Sequence, residues 1–139
     1  MKPLFLLDTN VVSELAKRTS DAGVESKLPV HQFECALAAP TVEELAFGIA
    51  RLPSSTNKDL LERWLEGVVT RFILLPFDAR CALWLGSERA RLAALGKPAP
   101  RTDGEIAAVA VVNDLTLITR NVADFRHFAK LRVESWFSG

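Results

Sequence analysis

Residues 4–10 read LFLLDTN, a short apolar run that ends on an acid. Apolar residues in unbroken succession, rather than in alternation, mark a strand buried on both faces in a parallel sheet. The run therefore predicts a buried first strand. Thr9 or Asn10 can cap a helix from Val11 to about Lys17. Asp8 has two readings: a residue that ends the strand and admits the helix, or one ligand of a metal site. The stretch alone does not choose between them.

The same order of strand then helix repeats outward from this point. Residues 32–39 (QFECALAA) predict a second buried strand closed by Pro40. In the helix that follows, Thr41 and Glu44 have capping-box spacing, and Leu45, Ile49 and Leu52 form its stripe. Residues 57–72 are amphipathic, with Leu60, Leu61, Trp64, Leu65 and Val68 on one side. Residues 71–77 (RFILLPF) predict a third strand. Asp78 then caps a long helix that Gly96 terminates. Thr102 and Glu105 form a second capping box, residues 115–119 a fourth strand, and residues 131–136 a last one. Residues 24–32 fit no template. Alternation of this kind implies right-handed crossovers between parallel strands. The expected fold is a three-layer α/β domain over residues 1–139, with a central, mostly parallel sheet of four or five strands flanked by helices.

Composition removes several function classes. Lys plus Arg equals Asp plus Glu, at 17 each, so no global basic field exists and any nucleic-acid contact must come from a local patch. Cys35 and Cys81 are far apart, in no metal spacing, and sit among apolar residues, so they read as reduced core residues. No apolar run approaches the roughly 18 residues of a membrane helix, and the N-terminus lacks a signal-peptide pattern; a cytoplasmic protein is the default. There is no Gly-rich phosphate loop. His31 and His127 neighbour no nucleophile motif and read as surface residues, which argues against a Ser-His-Asp hydrolase. An aspartyl-phosphate phosphatase wants a second Asp two residues after the first, where this chain has Asn10.

Ligands in open α/β sheets bind beyond the carboxyl ends of the strands. Four distant segments bring acid or amide groups there: Asp8; Glu43 and Glu44; Asp103; and Thr119, Arg120, Asn121 and Asp124. Clustered carboxylates repel and need a proton or a cation between them. Oxygen ligands without Cys or His point to a hard ion, Mg²⁺ or Mn²⁺. Asp103 shares a helical face with Ile106, Ala107 and Ala110, so it heads an inward-packing stripe. Glu44 shares a face with Phe47 and Gly48, a glycine that would permit close approach of another backbone; periodicity does not choose between Glu43 and Glu44.

The segments LLDTNVVSEL, TVEELAFGI, TDGEIAAVAV and LTLITRNVADF, in this order, resemble the PIN-domain family. The resemblance is nearest to VapC-type toxins of type II toxin–antitoxin modules, in their FitB-like branch, and it spans nearly the whole chain. It implies metal acids at Asp8, Glu44 and Asp103, and so selects Glu44 over Glu43. Where the family often has a fourth acid this chain has Asn121, with Asp124 as a substitute. Thr119 and Thr9 are implied as supporting groups, and Asn10 as orienting the first turn. The activity implied is that of a Mg²⁺- or Mn²⁺-dependent endoribonuclease, with a cognate antitoxin as partner and a homodimer as assembly. Arg101 and Arg120 flank site segments and are the expected RNA contacts. Asn121 keeps a second reading open, a PIN-fold binding module without catalysis.

Overall fold

The computed structural model describes residues 2–139. In chain order the elements are β1 (Phe5–Leu7), α1 (Thr9–Glu14), α2 (Ala22–His31), β2 (Cys35–Ala38), α3 (Ala39–Ala50), α4 (Thr56–Arg71), β3 (Ile73–Leu75), α5 (Ala79–Ala94), α6 (Arg101–Val112), β4 (Thr116–Ile118), α7 (Val122–Phe125) and β5 (Arg132–Glu134). The five strands form one sheet in the order β3-β2-β1-β4-β5, and every ladder is parallel. From β1 the chain winds outward to β3, then returns to place β4 on the other side of β1. The strand order therefore switches between β1 and β4, and a crevice opens beyond their carboxyl ends.

Strand residues alternate between faces and so feed two cores. Leu6, Ala36 and Leu117 pack with Cys81, Leu85 and Leu92 of α5 and with Ile106, Ala107 and Ala110 of α6. Leu7, Leu37 and Ile118 pack with Val11, Val24, Leu45 and Val68 from α1 to α4, and with Trp136. Helices thus cover both faces of the sheet, the three-layer arrangement expected from the buried apolar runs. Among the described residues no helix is long and apolar enough to cross a membrane.

Several local expectations are corrected. Strand β2 is shorter than residues 32–39, because Gln32–Glu34 form a single 3-10 turn that leaves Phe33 exposed. Residues 24–32 fall largely in α2, which buries only Val24 and Leu28 and so carries little periodic signal. Both expected capping boxes are absent. Chain leaves β2 and enters α3 without a loop, so Ala38 is the N-cap and Pro40 sits in the first turn. Thr41 lies inside the helix, with its hydroxyl buried and unpartnered among the described residues. Pro100, not Thr102, precedes α6. No backbone approaches Gly48, which faces open space, whereas at Gly104 a Cβ would lie 2.9 Å from the Leu85 side chain of α5. His31 and His127 are half-buried rather than free surface: His31 stacks on Trp136 and meets Glu34 at 2.9 Å. Both cysteines are free and buried, and burial pushes the Cys35 thiol up to about 12.

Candidate active site

Asp8 follows β1 directly and is the N-cap of α1. Its Oδ1 accepts the Thr9 backbone N–H at 2.8 Å, so the cap is Asp8 itself rather than Thr9 or Asn10. Its Oδ2 accepts the Thr119 hydroxyl at 2.7 Å and the Asn10 side-chain amide at 3.1 Å. A carboxylate oxygen offers about two lone pairs, so Oδ2 is filled while Oδ1 keeps one free. The two readings of Asp8 are therefore compatible: one carboxylate ends the strand, caps the helix and still has an acceptor site left.

The Thr119 hydroxyl also accepts the Asn121 backbone N–H at 3.1 Å. Asn10 bridges to the other side of the crevice, its Oδ1 accepting the Arg120 backbone N–H at 3.0 Å. Ends of β1 and β4 are thereby stitched together by Asp8, Asn10 and Thr119. This makes Asn10 a link between two loops, more than a brace for its own turn. On α3, Glu44 accepts a hydrogen bond from the Thr9 hydroxyl. Freed from any capping box, its carboxylate reaches across to α1.

These groups border one cleft of about 410 Å³ lined by Asp8, Thr9, Asn10, Glu44, Asp103, Arg120, Asn121 and Asp124, together with Ser13, Glu14, Lys17 and Phe125. Glu43 and Arg101 do not line it. They border an adjoining depression of about 490 Å³ that shares only Glu44 with the acid cleft. Of the two expected RNA contacts, Arg120 is in the cleft and Arg101 is beyond Glu44. Ser13, Glu14 and Lys17 were not singled out together in the sequence. Their signal was present: Asn10, Ser13, Glu14 and Lys17 fall at i, i+3, i+4 and i+7, a polar helix face opposite Val11, Val12 and Leu15.

The electrostatics of the cleft are those of uncompensated acids. Burial raises Asp8 above its ordinary value, with Glu44 adding to the rise; the bonds from Thr119, Thr9 and Asn10 pull it partly back. Burial pushes Asp103 up to about 6, and Asp8, Asp124 and Glu44 all push the same way. Among the described residues no three acids are already drawn together as a ligand cluster. What the cleft offers is a set of oxygen donors whose mutual repulsion a cation would relieve. Such a donor set suits a hard divalent ion, with waters completing its shell. Thiols lie in the cores, away from the cleft.

The chain is similar to known proteins along most of its length. The family model of the PIN domain matches residues 5–131. VapC ribonuclease Y4jK of Sinorhizobium fredii is 34% identical over 126 residues, covering 88% of this chain and 90% of that protein. Toxin FitB of Neisseria gonorrhoeae is 35% identical over 126 residues, covering 88% of this chain and 91% of that protein. The crystal structure of FitAcB from Neisseria gonorrhoeae superposes with a TM-score of 0.85 at 34% identity, over 94% of this chain and 96% of that one. The match begins at β1, ends just short of β5 and takes in every acid-bearing segment of the cleft; the chain belongs to the PIN-domain family.

Proposed function

We propose that this chain is a VapC-type endoribonuclease toxin, dependent on Mg²⁺ or Mn²⁺ and neutralised by a cognate antitoxin. The observation that carries the reading is the convergence of Asp8, Glu44, Asp103 and Asp124 from four distant segments on one cleft, where burial and the neighbouring acids push Asp103 up to about 6. Asp8, Asp103 and Glu44 would hold the ion, with Asp124 in reach of the same space. When bound, the ion supplies Lewis acidity toward water and toward the oxygens of a scissile phosphate.

The chain's own residues do the positioning. Thr119 and Asn10 fix the Asp8 carboxylate so that Oδ1 faces its task without a rotamer search. Thr9 holds Glu44 toward Asp8. Arg120 brings positive charge to the rim, where a phosphate backbone would pass. The binding-module reading had Asn121 as its motive. Asp124 weakens that motive, because it lines the cleft and raises Asp103 as a fourth acid should.

An antitoxin segment also has a place to lie. An apolar groove of about 280 Å³ between α1, α3 and α4 is lined by Leu45, Ile49, Leu52, Leu61 and Trp64, and it meets the acid cleft at Thr9 and Glu44. An amphipathic helix seated there would point its end at the acids.

Purified free of partner, the protein should cleave single-stranded RNA when Mn²⁺ is added and lose that activity in EDTA and in the Asp8→Asn variant. Cleavage that survives both treatments would refute the metal-dependent mechanism. Calorimetry separates the alternative: a binding module without catalysis would take up no Mn²⁺ and would bind RNA unchanged after Asp103→Asn.

A further inference from the structure

Two cations line the acid cleft, and their states differ. Lys17 is paired with the buried Glu14 at 2.9 Å, so its charge is already matched. Among the described residues the Arg120 guanidinium has no carboxylate within ion-pair distance. It lies instead over the ring of Phe137, 4.9 Å from the centroid.

Phe137 is held from both sides in sequence. Before it, Trp136 is buried and meets Phe5 edge-on at 5.2 Å. After it, Ser138 donates to Asp21 from its hydroxyl at 2.7 Å and from its backbone N–H at 3.1 Å. Gly23 allows this strap to cross α2, because a Cβ there would collide with the Trp136 carbonyl. The backbone N–H of Arg120 is fixed by Asn10. Main chain and side-chain tip of Arg120 are thus set by two different parts of the molecule. An aromatic face orients a guanidinium while leaving its five N–H donors free. That arrangement suits a planar, bidentate grip on a phosphate.

We infer that Phe137 is a positioning residue, which holds Arg120 at the cleft rim to grip a backbone phosphate of the RNA next to the one that is cut. The inference rests on the ribonuclease reading of the cleft. A grip made before and during reaction alike raises affinity for substrate without altering the chemical step.

Steady-state cleavage of a single-stranded RNA by wild type, Arg120→Ala, Phe137→Leu and Phe137→Trp tests it, with melting temperatures measured alongside. Arg120→Ala should raise KM roughly tenfold with kcat within about twofold, and lower the salt slope of RNA binding by about 0.7, the value of one phosphate contact on a single strand. Phe137→Leu should raise KM roughly threefold but keep the wild-type salt slope, since the charge remains. Phe137→Trp should restore KM. A Phe137→Leu protein with wild-type KM, whatever its melting temperature, overturns the inference and leaves the ribonuclease reading intact. So does an Arg120→Ala protein that cuts RNA normally and loses only antitoxin affinity. A wild type that cuts no RNA overturns both.

Discussion

Asp8 and Glu88 expose the same small fraction of their surface, 6% each, and they behave in opposite ways. Glu88 lies on α5 and takes the Arg91 guanidinium in a two-pronged pair at 2.7 Å, plus the Ala129 backbone N–H. Arg91 in turn donates to the His127 carbonyl at 2.7 Å, so the cluster fastens α5 to the chain that follows α7. Arg91 beside it holds Glu88 below the usual carboxylate range. Asp8 has hydrogen bonds but no cation, other acids around it, and a raised value. Solvent exposure is the same, but Asp8 sits deeper among protein atoms, so desolvation leads its rise, whereas at Glu88 the Arg91 pair outweighs the cost of burial. A buried acid with its cation in place serves the fold. A buried acid facing other acids is a place where the fold gives up stability for a ligand.

That contrast can be broken at several points. The largest effect belongs to Asp8→Asn, which should lower RNA cleavage by roughly a thousandfold or more while the protein stays folded. Glu88→Ala should do the reverse: it strips partners from Arg91 and from the Ala129 N–H, costing about 2 kcal/mol in urea unfolding and leaving kcat within about twofold. If Glu88→Ala abolished cleavage in a folded protein, the division between the two acids would fail.

Asp103→Asn should stabilise the metal-free protein. The unfolded chain ionises Asp103 near its ordinary 3.8, but the native state holds the proton until about pH 6. Between those values the native state binds more protons, so stability falls as pH rises through the window. The substitution removes that loss. Its gain, about 1 kcal/mol once solvent screening at this half-open position is allowed for, should be full above about pH 6 and absent below about pH 4. Glu88 runs the other way: its value is lowered, so its contribution is present above its ordinary 4.5 and is lost as pH falls through the folded value. Thermal melts of both variants across pH should therefore slope in opposite directions. Millimolar Mn²⁺ should raise the wild-type melting temperature near neutral pH, and this rise should shrink toward about pH 5 as Asp103 takes up its proton.

The smallest effect concerns Thr41, whose buried hydroxyl has neither cation nor hydrogen-bond partner among the described residues. Thr41→Val should be neutral or stabilising by up to about 1 kcal/mol. A clear loss of stability would mean that the hydroxyl has a partner after all.

The sequence by itself determined the sheet and put Asp8, Asp103 and a glutamate of α3 at its edge, though choosing Glu44 over Glu43 took the family resemblance. A continuous apolar run predicts a strand covered on both faces, which demands helices above and below, and Leu6 and Leu7 of β1 are fully buried while Leu4 ahead of the strand stays exposed. The period of Ile106, Ala107 and Ala110 fixed the direction of Asp103 at the head of α6. Only the tertiary structure decided how these acids are supported. The capping boxes looked sound in sequence, yet β2 runs into α3 without a loop, and that leaves Glu44 free to meet Thr9. Nothing local could assign Asn10 to the Arg120 backbone, or Phe137 to the Arg120 guanidinium, because each pair joins segments that meet only once the sheet has formed. Periodicity is written within one element, where neighbours three or four residues apart must share a face. Support for a site at a strand-order switch comes from elements far apart in the chain, and their meeting is a property of the packed whole.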